Sequence, residues 1–186
     1  MKKEKNRSII YIAIFIALIM AISVIGFLWG GTGNEQYKYG DFSFYNEGGL
    51  WKTEVNGKLL EFKYLPSELP EVAVSQDAKN LILYAKMLYV IYSPGQSSEE
   101  LAVAQYNLGR NIETNSRFVV NALAEKNENN LPVITCANAT KAVPVIMLKM
   151  NETNDSIILN NSCLILEGNP EMLSERLVYF LYGVVQ

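Results

Sequence analysis

The sequence predicts an α+β domain, an antiparallel or mixed β-sheet carrying two main helices, preceded by one N-terminal transmembrane helix. Three observations lead there. Residues 9–29 form an uncharged, almost wholly apolar run behind a basic head. Past residue 38 the chain breaks into short β-rich runs punctuated by Asn, Gly and Pro, beginning with a hairpin signal at Asn56-Gly57. Two longer segments place apolar residues at helical spacing, which sets strands and helices in one layered domain.

The elements follow in chain order. Residues 1–8 read as a cytoplasmic basic tail. Ile9 to Trp29 reads as a signal-anchor helix, because a bilayer core of about 30 Å needs about 20 apolar residues. A cleavable signal usually has a shorter apolar region of about 7–15 residues. Ala21-Ile-Ser23 resembles a cleavage site, yet Val24 to Trp29 continues the apolar run beyond it. Lys2, Lys3, Lys5 and Arg7 precede the helix, and the next basic residue is Lys38. The positive-inside bias therefore leaves the N-terminus in the cytoplasm and everything beyond the helix outside, at the cell membrane. Residues 30–38 read as a flexible linker, and 39–186 as one extracytoplasmic domain of ordinary size.

Within the domain, Phe42-Ser-Phe44 starts a meander that turns at Asn46-Glu-Gly-Gly49. Trp51–Val55 and Lys58–Tyr64 form its hairpin around Asn56-Gly57, and Pro66 and Pro70 end it. Asp77 caps a short helix through Leu83, and Met87–Tyr92 reads as a buried strand. Pro94-Gly95 closes that strand. A helix begins at Ser98, with Leu101, Ala104, Leu108 and Ile112 on one face. Phe118 to Glu125 reads as a strand and Lys126 to Asn130 as a polar loop. Strands are expected at Val133–Cys136, Val143–Lys149, Ser156–Leu159 and Cys163–Glu167, the last two joined by an Asn160-Asn161 turn. The last helix starts cleanly, with Asn169 as N-cap, Pro170 at the first position and Glu171 favouring the dipole. Leu173, Leu177, Phe180 and Leu181 supply its apolar face.

Composition narrows function. Without the head's four bases and one acid, 12 basic and 18 acidic residues remain, a net charge of −6. That argues against nucleic acid as a partner, since phosphate binding needs a basic footprint. There is no histidine, which excludes His-dependent nucleophiles and His-ligated metal centres. No catalytic, metal or cofactor set is recognised. Cys136 and Cys163 are the only cysteines. An even count outside the cytoplasm suggests a disulfide between them, each cysteine placed on a strand, with two separate buried thiols as the alternative.

Four sequons lie on the outer side: Asn138-Ala-Thr140, Asn151-Glu-Thr153, Asn154-Asp-Ser156 and Asn160-Asn-Ser162. They are candidate N-glycosylation sites, although Asn6-Arg-Ser8 shows that such triplets also arise by chance. Ser97-Ser98-Glu99-Glu100 reads more cheaply as a helix start than as a polar site. Lys86 and Lys149 read as edge or snorkelling residues rather than catalytic amines. Glu152, Asp155 and Glu167 match no Ca²⁺ loop spacing. Tyr37, Tyr39, Tyr45, Tyr64, Tyr84, Tyr89 and Tyr92 are explained by strand packing before partner contact.

Three stretches carry a resemblance: Tyr45-Asn-Glu-Gly-Gly-Leu-Trp51 leading to Tyr64-Leu-Pro66; Pro132-Val-Ile-Thr-Cys136-Ala-Asn138; and Asn161-Ser-Cys163-Leu-Ile-Leu-Glu-Gly168 with the final helix ending Leu181-Tyr-Gly183. Over most of residues 39–186 the chain resembles an uncharacterised family of single-anchor membrane proteins from small-genome (DPANN) archaea. The resemblance implies a topology and no activity. The expectation is a non-enzymatic extracytoplasmic domain that binds or scaffolds cell-envelope components, a protein or a glycan, held to the membrane by one helix. The alternative is a surface hydrolase or transferase using carboxylates or a Ser-Lys pair.

Overall fold

The computed structural model describes residues 10–22, 36–95, 97–113, 117–126 and 131–186. The chain divides into two compact units, Met1–Glu35 and Gln36–Gln186.

In the first unit, residues 10–22 form helix α1, and every one of them is exposed. Among the described residues, no helix is long and apolar enough to cross a membrane. The expected span of 9–29 reaches beyond the described residues at both ends, as does most of the linker. The expected linker also ends early, because its last three positions already belong to a strand.

The second unit is α+β, with two sheets rather than one. The first sheet is an antiparallel meander of β1 (Gln36–Tyr39), β2 (Phe42–Glu47), β3 (Leu50–Val55) and β4 (Lys58–Phe62), in that order. At the β3–β4 turn Asn56 and Gly57 both have positive φ, 53° and 75°. That is the geometry a two-residue hairpin matched to strand twist demands.

The chain then enters α2 (Gln76–Tyr84), β5 (Met87–Tyr92), α3 (Ser98–Ile112), β6 (Phe118–Leu123), β7 (Val145–Met150), β8 (Ser156–Asn160), β9 (Cys163–Gly168) and α4 (Pro170–Leu181). The second sheet has the order β6-β5-β7-β9-β8. Neighbours run parallel except β8, which is antiparallel to β9. Two caps differ in one respect. Asn169 caps α4 as expected, accepting from Met172 N at 3.1 Å. At α2 the cap is Ser75, whose Oγ accepts from Ala78 N at 3.2 Å, and Asp77 lies inside the first turn. The residue before the helix is the one free to take the extended conformation that a cap needs.

Helices α3 and α4 lie between the sheets. Leu88, Val90, Ile146, Leu148, Leu164 and Leu166 of the mixed sheet share a core with Leu101, Leu108, Leu173 and Leu177 of α3 and α4. On the other side Tyr179 of α4 stacks on Phe62 of β4, centroids 4.0 Å apart, and meets Phe44 of β2 edge-on. Gln105 fixes α3 on the mixed sheet by donating to the carbonyls of Val90 and Ala122.

The outer face of the mixed sheet carries a smaller core. Ile91, Ala122, Val145 and Cys163 are covered by Ile134, Cys136 and Ala139 of the β6–β7 connection. Here the expected strand at Val133–Cys136 is corrected. Val133 makes a single parallel bridge to Leu123, and Cys136 opens a 3-10 turn. This apolar run is a lid on a sheet face, so it satisfies burial without joining the ladder.

Candidate functional site

The parallel strands β5, β7 and β9 all end on one side of the domain. Both α3 and α4 begin there, since each follows directly on a strand of this sheet. The β5–β6 crossover runs over the helix face through α3, whereas the β6–β7 connection returns over the outer face. The strand order therefore reverses at β5. Crevices outside the carboxyl ends of strands at such a reversal are the usual ligand positions in α/β sheets.

A cleft of about 670 Å³ lies at this end. Met150 at the end of β7 forms part of it, with Glu99, Glu100 and Val103 from the start of α3. Asn169, Pro170 and Glu171 come from the start of α4, and Lys63 and Tyr64 follow β4. Glu99, Glu100 and Glu171 sit in first turns, where the helix dipole favours negative charge. Lys63 Nζ pairs with Glu171 Oε2 at 2.7 Å and sits over the Tyr64 ring. The hydrogen bond to Glu171 raises the Lys63 pKa. Three carboxylates thus face one ammonium, and the cleft keeps a net negative charge.

Behind the cleft, Glu175 is only 7% exposed. Its carboxylate accepts from the backbone N–H groups of Lys63 and Tyr64 at 2.7 and 3.0 Å. Burial pushes its pKa up to about 7, and the two N–H donors oppose that rise. Tyr179 donates to Tyr64 O at 2.9 Å. Ser174 Oγ is buried without a hydrogen-bond partner among the described residues. It adjoins a cavity of about 10 Å³, lined also by Asn107, Asn111, Glu171 and Glu175. That space is near the minimum for one water. A second depression, about 800 Å³, is lined by Tyr39, Ser67, Val72, Arg176 and Gln186. Its arginine is occupied by the carbonyls of Val72 and Gln186.

The expected residues fall into place as follows. Cys136 and Cys163 form the disulfide, Cα atoms 5.3 Å apart, within the bridging range. Only Cys163 is on a strand. Asn138, Asn154 and Asn160 are exposed. Asn151 is half-buried, and its Nδ2 donates to Glu167 Oε1 at 3.1 Å, so a glycan there would displace that bond. Ser98 opens α3, with Ser97 as N-cap, and Lys86 and Lys149 are exposed. Asp155 accepts from Asn169 N, and Glu167 accepts from Asn151. Among the described residues no three His, Cys, Asp or Glu side chains are grouped as a metal set. Of the seven tyrosines only Tyr84 is exposed.

Glu175 and Ser174 escape a reading based on one apolar face. The signal available is Leu177-Val-Tyr-Phe-Leu181, five apolar residues in a row. Such a run exceeds one helical stripe and marks a helix covered on several sides, which buries its polar residues too. Comparison with protein-family models, with curated proteins and with solved structures finds no match to this chain.

Proposed function

We propose that this chain is a single-pass membrane protein whose extracytoplasmic domain is a non-enzymatic module. In this reading the acidic cleft receives a cationic group of a cell-envelope partner, such as a lysine- or arginine-bearing segment. The observation that carries it is the convergence of Glu99, Glu100 and Glu171 on one cleft at the carboxyl ends of the strands. The apolar run of residues 9–29, the exposure of α1 on all sides and the disulfide support an anchored domain in an oxidising compartment. The motif likeness to single-anchor archaeal proteins supports the same topology.

The test uses the full chain in nanodiscs, titrated with a tetralysine peptide and followed by NMR. Saturable shifts at Glu99, Glu100 and Glu171 are expected, weakening with salt and lost in the double variant Glu99→Gln/Glu100→Gln. Shifts elsewhere, or binding indifferent to that variant, would overturn the reading.

A hydrolase or transferase ranks second. Glu175, titrating near neutrality, is the observation in its favour. Against it, Glu175 and Ser174 are sealed behind the cleft, and Lys63 is committed to Glu171.

A further inference from the structure

The mixed sheet ends at β8, whose free edge reads Ser-Ile-Ile-Leu-Asn over Ser156–Asn160. Sheet edges normally carry charges, prolines, bulges or covering segments that stop another strand from adding. Other edges carry such devices along part or all of their length. β1 contains Lys38, and β4 contains Lys58 and Glu61. The end of β6 is covered by the β6–β7 connection, through Leu123 N to Pro132 O and Ile134 N to Leu123 O. Among the described residues β8 has none of these devices. The nearest acids are turned away from it: Asp155 accepts from Asn169 N, and Glu167 accepts from Asn151.

The direction of its backbone groups follows from its neighbour. Ser162 O accepts from Val145 N, and Gly168 O accepts from Asn151 N. Even-numbered residues of β9 therefore face β7, and Cys163, Ile165 and Glu167 face β8. Their register partners are Asn160, Ile158 and Ser156. Backbone groups alternate along a strand, so Ile157 and Leu159 direct N–H and C=O outward.

We propose that two copies of this chain pair antiparallel along β8 about a two-fold axis at Ile158, joining their mixed sheets into one. In that register Ile157 of each copy lies opposite Leu159 of the other. The residues with outward backbone groups are the ones that meet, and they close four N–H···O bonds. Ile158 faces its own copy at the close, non-hydrogen-bonded position. Its side chain is 55% exposed and extends the apolar outer face through Ile165, its partner on β9. A two-fold contact needs a self-complementary surface, and a charge-free strand with its outward groups symmetric about one residue is one.

Ile158→Cys in the full chain, in nanodiscs carrying two copies, tests this directly. Opposed cysteines at a close antiparallel pair fall within bridging distance, so mild oxidation should crosslink this variant roughly tenfold faster than Val103→Cys, an exposed position on α3. Wild-type chain in detergent should show concentration-dependent dimers, and Ile158→Lys should shift them to monomer with unchanged circular dichroism. Equal crosslinking of the two cysteine variants would overturn the proposal. So would a glycan filling Asn160 on protein isolated from its own membranes, since Asn160 must lie opposite Ser156 of the second copy.

Discussion

Glu175 holds the segment after β4 onto α4 with a carboxylate that burial disfavours. Its pKa rises from 4.5 to about 7 in the folded domain. Between those values the native state binds more protons than the unfolded one, so stability falls as pH rises. The contribution is complete below about pH 4.5, is lost by about pH 7, and amounts to at most about 3 kcal/mol at 1.36 kcal/mol per unit. Chemical denaturation at pH 5 and pH 8 should show this loss in the wild type and a much smaller one in Glu175→Gln. An equal slope in both would assign the pH dependence elsewhere. Gly168 tolerates no side chain. Its φ is 146°, and an added Cβ would meet Asp155 Oδ1 and lie 2.9 Å from both Asp155 Cα and Leu173 Cδ1. Asp155 can cap Asn169 N only because nothing stands there. Gly168→Ala should destabilise the domain by about 2–4 kcal/mol, combining overpacking with backbone strain, as read from the shift in urea midpoint. A loss below about 1 kcal/mol would show that the backbone yields there.

The β6–β7 connection is held as an element by the Cys136–Cys163 bond and by backbone bonds to Leu123 at the end of β6. Converting both cysteines to Ser should lower stability by about 2–4 kcal/mol while the meander and helices persist. Hydrogen exchange should then rise across 131–143 and stay unchanged in β3–β4; uniform loss of protection would make the bond a condition of the whole fold. The helix ends use charge instead. Arg117 donates to Leu83 O and Ala85 O at the end of α2 and to Ile112 O at the end of α3. Lys58 donates to Arg110 O, Asn111 O and Glu113 O. Cations there complement the negative ends of both dipoles. What the sequence made legible follows from locality. The Asn56-Gly57 hairpin, the Asn169-Pro170 start and the apolar stripe of α3 are each written within a few residues, and each is present. β1 was hidden because Gln36–Tyr39 alternates polar and aromatic residues beside a glycine-rich stretch. The division into two sheets was hidden because strand pairing is nonlocal. Val133–Cys136 has the composition of a strand, but burial under a lid and burial in a ladder leave the same periodicity.

At the scale of the molecule, the cleft could not be read from the chain, because its residues come from four separated segments and meet only through the order of the parallel strands. Glu99, Glu100 and Glu171 read individually as helix-start acids, and they are that as well. The expected anchor is the reverse case: it rests on the sequence, and among the described residues no helix is long and apolar enough to cross a membrane. The described part of α1 is 13 residues, about 20 Å at 1.5 Å per residue, against a hydrocarbon core of roughly 30 Å. The apolar sequence continues to Trp29, with four basic residues before it and none after it until Lys38. This asymmetry predicts that protease added to intact cells or right-side-out vesicles degrades residues beyond the helix and spares the N-terminal tail. Protection of the domain would invert the topology and leave the acidic cleft facing the cytoplasm, where the Cys136–Cys163 bond would be out of place. Intact mass separates the two ways an external domain can arise. A chain that retains residues 1–29 is anchored by its own helix. One that begins near Val24 is a secreted domain released by cleavage after Ser23, and any hold on the envelope must then come from the cleft.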